Sequence, residues 1–327
     1  MKVLVTGADG LLGSNLIREL LGQGFTVRAF IQRGSRSPTL EGLAIEKVSG
    51  DLLDEGDALK QAAAGCDAVF HCAAITNLWA DRGLVFKVNL EGTRKVLDAC
   101  VAAGVKRLVF TGSASSFQFG PMEKPGDETG AFPPEYKGMP YMESKHQAMK
   151  LVRDYIAKRG LDAVIVSPTF MLGPHDFGPS SGELVRQFIK RRMRFVSPGG
   201  RNFAYAGDVA KAMVAALERG RKNECYILAG KNLNYLDFFG RAAKIAGIQP
   251  PKSVLPSALV KAAGAAGSAF AAISRKPAQL NLTMARMACL GTYYTGAKAI
   301  KELGLPQTDV DQALAETIQN LREFKYL

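Results

Sequence analysis

No stretch of this sequence is long and apolar enough to read as a membrane span, and no two of its five cysteines are spaced to clasp a metal. Cys66, Cys72, Cys100, Cys225 and Cys289 are odd in number and contain no C-x-x-C pair. That excludes a disulfide framework and fits reduced, mostly buried thiols of a cytoplasmic protein. His71, His146 and His175 lack metal-ligand spacing, so no metal is expected. There is no internal repeat and no low-complexity tract, which removes the solenoid and disordered classes. Nothing at the N-terminus resembles a signal peptide, because a strand pattern begins at once. The nearest thing to a membrane element is 255–273, LPSALVKAAGAAGSAFAAI, which is short, rich in Ala and Gly, and carries Lys261. Its first reading is a small-residue lid helix and its second a helix lying in a membrane interface.

Acid is scarce relative to base: 42 Lys and Arg against 30 Asp and Glu leave a net charge of +12. Nucleic-acid binding would require a dense basic cluster with interleaved aromatics, and only 186–194, RQFIKRRMR, approaches one. No nucleic acid is expected. A phosphorylated cofactor, an acidic substrate or a membrane surface makes better use of the charge. A chain of 327 residues can hold one large α/β domain and a smaller lobe.

The chain is organised around its first twenty residues, MKVLVTGADGLLGSNLIREL. Residues 2–5 form a short apolar run with strand character, and Leu12, Leu16, Ile17, Leu20 and Leu21 then recur at helical spacing. Between them Gly7, Gly10 and Gly13 make a G-x-x-G-x-x-G turn. Gly7 permits a tight turn, Gly10 admits a pyrophosphate to the backbone, and Gly13 lets the helix pack on the strand. The free N–H groups of the new helix then face the anion. Asp9 is out of character beside a phosphate.

Strand and helix patterns alternate to about Pro168, which predicts a doubly wound parallel sheet. Strands are expected at 26–31, 44–48, 67–72, 107–111 and 162–166, with helices at 85–104 and 141–159. The second part is less regular, with helices at 182–192, 208–219, 236–247 and 309–324 and a strand at 225–228. We therefore expect a Rossmann-type core over 1–168 and a smaller mixed substrate lobe over 169–327 that exchanges segments with it.

The second strand ends Phe30-Ile31-Gln32-Arg33, with no acid to accept from a ribose hydroxyl and with Arg36 close behind. Arg33 and Arg36 favour NADP over NAD, although two solvated loop arginines would look the same. Asp51-Leu52 after the third strand would cap the adenine edge, or Asp51 would serve as a helix N-cap.

Tyr141 and Lys145 lie four apart in a helical pattern and so share one face. A nearby ammonium, with the positive charge of an oxidised nicotinamide, would lower the phenol and make it usable as acid or base.

With these residues in place, the sequence resembles the extended short-chain dehydrogenase/reductases. The marks are Thr6-Gly7-x-x-Gly10-x-x-Gly13, Gly50-Asp51, His71-x-Ala73-Ala74, Asn89-x-x-Gly92-Thr93, Val109-Phe110-Thr111-Gly112-Ser113, Tyr141-x-x-x-Lys145, Gly173-Pro174 and Tyr205-x-x-Asp208-Val209-Ala210. The resemblance implies that Tyr141 exchanges a proton with the substrate oxygen, that Lys145 tunes it, and that a serine after the fifth strand bonds the same oxygen. Ser113, Ser115 and Ser116 are the candidates; Ser113 is preferred because Asp127-Glu128 then falls at the family's usual distance. It further implies cofactor contacts from Gly7, Gly10, Leu11, Gly13, Arg33, Arg36, Asp51, Leu52, Ala73, Ala74, Asn89, Pro168 and Met171. A homodimer through the helices at 85–104 and 141–159 is also implied.

Two departures bear on the substrate. Gly112 stands where a serine is common, and Ser167-Pro168 stands where sugar-modifying members have Arg-Pro. The tail, Leu255-Pro256-x-x-Leu259-Val260 and Tyr293-Tyr294-x-x-x-Lys298-Ala299, resembles the dihydroflavonol reductase and 3β-hydroxysteroid dehydrogenase branch. An NADP-dependent carbonyl reductase or alcohol dehydrogenase on a hydrophobic small molecule is the leading expectation. Phe117, Phe119, Phe132, Phe170, Met171 and Phe177 would line its pocket. The alternatives are a nucleotide-sugar epimerase or dehydratase, with Arg186, Lys190, Arg191 and Arg192 on the phosphates, and a cofactor-binding relative without chemistry.

Overall fold

Lys2–Thr6 (β1) is apolar on both faces because both faces are covered, as a central parallel strand requires. It pairs in parallel with Thr26–Gln32 (β2) on one side and Ala68–His71 (β4) on the other, and Glu46–Gly50 (β3) extends the sheet beyond β2. Arg107–Thr111 (β5) and Ala163–Pro168 (β6) extend it the opposite way. The computed structural model that shows this describes residues 1–274 and 280–327.

Helices cover both faces. Leu11–Gly22 (α1) lies on one face, while Ala58–Ala63 (α2), Arg82–Phe86 (α3), Thr93–Ala102 (α4) and Pro140–Arg159 (α5) belong to the other. The chain then runs through Phe170–Leu172 (β7), Gly182–Arg191 (α6), Phe195–Val196 (β8) and Gly200–Tyr205 (β9). Ala206–Arg219 (α7) packs beside α1, and Cys225–Leu228 (β10) pairs with β6 as the seventh strand of the main sheet. Lys231–Asn234 (β11), Tyr235–Ala246 (α8), Ser253–Val254 (β12), Ser257–Ser274 (α9), Leu282–Ala288 (α10), Gly291–Thr292 (β13), Ala297–Leu303 (α11) and Val310–Glu323 (α12) complete the described chain.

The main sheet has the order β10-β6-β5-β4-β1-β2-β3, so the winding reverses between β1 and β4. Ligands bind at such a reversal, outside the carboxyl ends of the strands. The second part builds its own core from Phe188, Phe203, Phe238, Phe239, Leu314 and Ile318, between β9 and helices α6, α8 and α12.

Three expected elements shift, and the helix expected within 255–273 is present. The third strand lies at Glu46–Gly50 rather than 44–48, because a tight turn at Leu43–Ile45 precedes it and Arg28 pairs with Glu46. The helix expected over 85–104 is three pieces, α3, a π turn at Lys87–Gly92, and α4. The sixth strand runs on to Pro168 because β10 extends beside it, Leu228 opposite Pro168. The 255–273 segment is a helix, α9, that rests on α10, with Gly264 packed so closely on Ala285 that a Cβ would collide with it. The short strands β7, β8, β9, β11, β12 and β13 went unanticipated, since two to six residues carry little periodicity.

Candidate active site

The glycine turn has the backbone that its residue types demand. Gly7 sits at φ +64°, and a Cβ there would lie 2.6 Å from the Ala73 nitrogen, so no larger residue fits. A Cβ on Gly13 would strike the Gly7 carbonyl. Gly10 is different: a Cβ there would meet only the Gly7 oxygen, at 3.5 Å, and otherwise open space. Gly10 is the N-cap of α1 and no side chain caps that helix, leaving its first N–H groups for an anion. A nicotinamide dinucleotide fits this cradle, which is open above Gly10. Asp9 turns away from it, accepting from the Ser35 and Ser37 hydroxyls at 3.1 Å each.

The side chains beyond β2 and β3 are more engaged than expected. Arg33 pairs with Asp54 at 2.8 Å, while Arg36 is exposed. Asp51 accepts from the Leu53 N–H at 2.8 Å and caps no helix, because α2 starts after Asp57. Leu52 is buried against the α4 layer.

A polar relay ties the cradle to the candidate catalytic helix. Thr93 donates to the Asn89 carbonyl at 2.7 Å, so its hydroxyl oxygen accepts from His71 Nε2, 3.0 Å away. His71 Nδ1 then accepts from Thr6, 2.7 Å away, and Thr6 accepts from the Ala73 N–H. Burial, with help from the Lys145 ammonium, pushes the His71 imidazole down to about 3, so it stays neutral. His71 is a structural bridge between β1 and α4. Asn89, in the π turn, spends its amide on Ile75 and Ser144 (2.8–3.0 Å), and Ser144 donates to the Tyr141 carbonyl. Asn89 therefore holds the loop after Ala73-Ala74 and the first turn of α5 in place, with both amide hydrogens committed. The π turn is the wider coil that lets one residue reach both.

Ser113 and Tyr141 meet at the carboxyl end of β5. Ser113 Oγ lies 2.8 Å from Ser115 Oγ, and the Ser113 hydroxyl reaches the Tyr141 phenol. Burial raises the phenol above its ordinary value, and the Ser113 hydrogen bond opposes that rise. The fall expected from Lys145 is not what sets Tyr141, because the ammonium is turned inward. Lys145 Nζ donates to the Thr111 carbonyl at 2.5 Å and lies 5.0 Å from the centre of the Phe110 ring. Burial pushes Lys145 down to about 8. Cys72 beside it is pushed up to about 11 by burial and remains a thiol. Ser116 is buried and does not join the cluster.

Sequence reasoning did not foresee Thr111 and Ser144. A serine inside a helix, one residue before the lysine, was the available signal for Ser144; Thr111 acts through its carbonyl, which no side chain announces. Pro168 is buried at the end of β6, and Met171 packs under the α1–α7 layer. The aromatic pocket set scatters. Phe117 is core, Phe132 lies tilted against His146, Phe170 meets Phe203 edge to face, and Phe177 meets Phe324 edge to face. Of these, Phe119 alone lines the open cleft of about 540 Å³ that it shares with Met122, Pro198, Leu290 and Tyr293. Ser167 is buried against Cys225, and Arg186 is held by Glu183 at 2.6 Å.

The chain matches the family model of the NAD dependent epimerase/dehydratase family over residues 3–229. A Synechocystis sp. protein provisionally named dihydroflavonol 4-reductase is 34% identical, over 99% of this chain and 95% of its own. The 3-beta-hydroxysteroid dehydrogenase of Mycolicibacterium neoaurum is 29% identical over 97% of this chain and 90% of its own. Among solved structures, gox2253 superposes with a TM-score of 0.88 at 30% identity, covering 99% of both chains. A nucleoside-diphosphate-sugar epimerase from Pseudomonas aeruginosa superposes at 0.81 with 28% identity, covering 100% of this chain and 99% of its own. A glycine cradle at the sheet's reversal, a tyrosine and lysine one turn apart, and this match over most of the chain agree: the chain belongs to the NAD-dependent epimerase/dehydratase family, in its dihydroflavonol reductase and 3β-hydroxysteroid dehydrogenase-like branch, as a nicotinamide-dependent enzyme of CH–OH and C=O groups.

Proposed function

We propose that this enzyme uses NADP to interconvert a ketone and a secondary alcohol on a hydrophobic small molecule. The observation that carries the reading is the Ser113–Tyr141 hydroxyl pair at the end of β5, with Lys145 buried beneath it and the glycine cradle alongside. A bound nicotinamide supplies or accepts the hydride. Ser113 donates to the substrate oxygen and fixes its position. Tyr141 gives that oxygen its proton in reduction and takes it back in oxidation. In the working enzyme Lys145 turns from the Thr111 carbonyl toward the tyrosinate left after proton transfer and steadies it. Arg33 and Arg36 favour a 2′-phosphate, with Arg33 exchanging Asp54 for it. The lobe around β9 and α8 supplies the substrate side, and the hydrophobic substrates named for the Synechocystis and mycobacterial relatives support an apolar ketone.

The test is loss of reduced-nicotinamide absorbance, with NADPH and then NADH, over a panel of hydrophobic ketones that includes a ketosteroid and a dihydroflavonol. Turnover with NADPH preferred is expected. Silence on every ketone, with cofactor that survives dialysis, would move the assignment to a nucleotide-sugar epimerase. The activity for which the Pseudomonas neighbour is named favours that second reading. Ser167 in place of an arginine, and an Arg186 already held by Glu183, weigh against it.

A further inference from the structure

The excess positive charge of this protein sits in two stretches. Residues 184–207 and 238–301 together hold fifteen Lys and Arg and not one Asp or Glu, so the rest of the chain is slightly acidic. The fold joins the two stretches. β8 pairs in parallel with β12, Ser253 opposite Phe195 and Val254 opposite Val196, and the Lys252 N–H donates to the Arg194 carbonyl at 2.7 Å. Lys190, Arg192, Arg194, Lys252 and Lys261 are all exposed around this ribbon and the α9 that follows it.

α9 itself breaks the usual rule for helices. Thirteen of its eighteen residues are Ala, Gly, Leu, Val or Phe, with Lys261 its one charge, and a helix this apolar is ordinarily buried. Only Val260 and Gly264, on the side that rests on α10, are buried among its described residues. Leu259 is 59% exposed and Phe270 62%, and the neighbouring ribbon adds exposed Phe195 and Val254. Apolar surface of this kind, rimmed by charge of one sign, marks a binding face. Among the described residues no helix is long and apolar enough to cross a membrane, so α9 can lie in a bilayer surface but not span it.

We infer that α9 and the β8–β12 ribbon dock the enzyme on an anionic lipid bilayer. Leu259 and Phe270 enter the acyl boundary while the basic rim meets the lipid phosphates. The charge selects this occupant: a second copy of the chain would bring the same positive rim against its own, whereas an anionic headgroup layer neutralises it. Pro198, which follows β8 in the chain, and Leu290, which follows α10, line the cleft that holds Phe119.

Cosedimentation of the whole protein with vesicles tests this independently of any enzymatic activity. Vesicles of phosphatidylcholine with about 30% phosphatidylglycerol should bind it, and phosphatidylcholine alone should bind it weakly. Raising salt from about 0.1 M to about 0.5 M should release it. Leu259→Ser with Phe270→Ser should weaken binding at least about tenfold. Lys190→Ser with Arg192→Ser and Arg194→Ser, on a separate element, should weaken it roughly 100-fold. The basic-rim variant decides the matter if the α9 variant fails to fold. Absence of binding to anionic vesicles at low salt overturns the inference, as does binding unchanged in the folded variants. A concentration-dependent dimer that the α9 variant abolishes also overturns it, by assigning the face to a second copy.

Discussion

Replacing Lys145 by methionine isolates what burial of its ammonium does to the fold. Folding lowers this lysine from 10.5 to about 8. A difference of that size corresponds to about 3 kcal/mol, at roughly 1.4 kcal/mol per pH unit. The sign follows from proton binding. Below about pH 8 the folded and unfolded chains both hold the proton, and stability carries the full penalty of the buried charge. Between about pH 8 and pH 10.5 the unfolded chain binds a proton that the folded chain has released, so stability rises with pH across that window. The methionine variant has no such group and lacks the rise. Its lost hydrogen bond to the Thr111 carbonyl is an offset that does not vary with pH. Urea unfolding of both proteins across the window should show wild type gaining about 3 kcal/mol on the variant by its upper end. A difference that stays flat would refute the reasoning, because the ammonium would then be as well solvated folded as unfolded.

Four further outcomes follow from the site. Ser113→Ala should slow turnover roughly 100-fold while Ser115→Ala stays within a few-fold, read as kcat on the best ketone; the reverse order would move the oxygen-binding role to Ser115. Gly13→Ala should push α1 off the Gly7 carbonyl and destabilise the fold by about 1–3 kcal/mol with a matching loss of cofactor affinity, checked by denaturation and cofactor titration. Asn89→Ala strands the Ile75 N–H, and should lower stability by about 1–3 kcal/mol and kcat more than KM. Arg33→Ser should raise KM for NADPH roughly tenfold and leave NADH unchanged; equal effects on both would remove Arg33 from the phosphate.

The main sheet could be read from the sequence because its inner strands, buried on both faces, are apolar runs; the exposed edge strand Glu46–Gly50 is not, and its bounds shifted. Strand 107–111 and the edge strand 225–228 stood where expected because they are apolar runs of that kind. The glycine cradle and the one-turn spacing of Tyr141 and Lys145 are local, and local patterns survive folding unchanged. The π turn was hidden because its cause is a long-range bond: Asn89 reaches Ile75 and Ser144, which no periodicity in 85–104 records. The direction of the Tyr141 shift was missed for a similar reason. Sequence placed an ammonium one turn away, but only the fold reveals that Thr111 takes it. The small strands of the second part pair across tens of residues and are too short to announce themselves.

The position of Cys225–Leu228 has a consequence for biosynthesis. A ribosome that has delivered Pro168 has made six of the seven main strands, yet β6 still shows an open hydrogen-bonding edge. About sixty residues must follow before β10 can close it, roughly 3–12 s at ordinary rates of synthesis. During that interval the nascent chain presents a bare, apolar strand edge of the sort that recruits chaperones or pairs with a neighbour. The enzyme cannot finish its nucleotide half until much of its other half has been made.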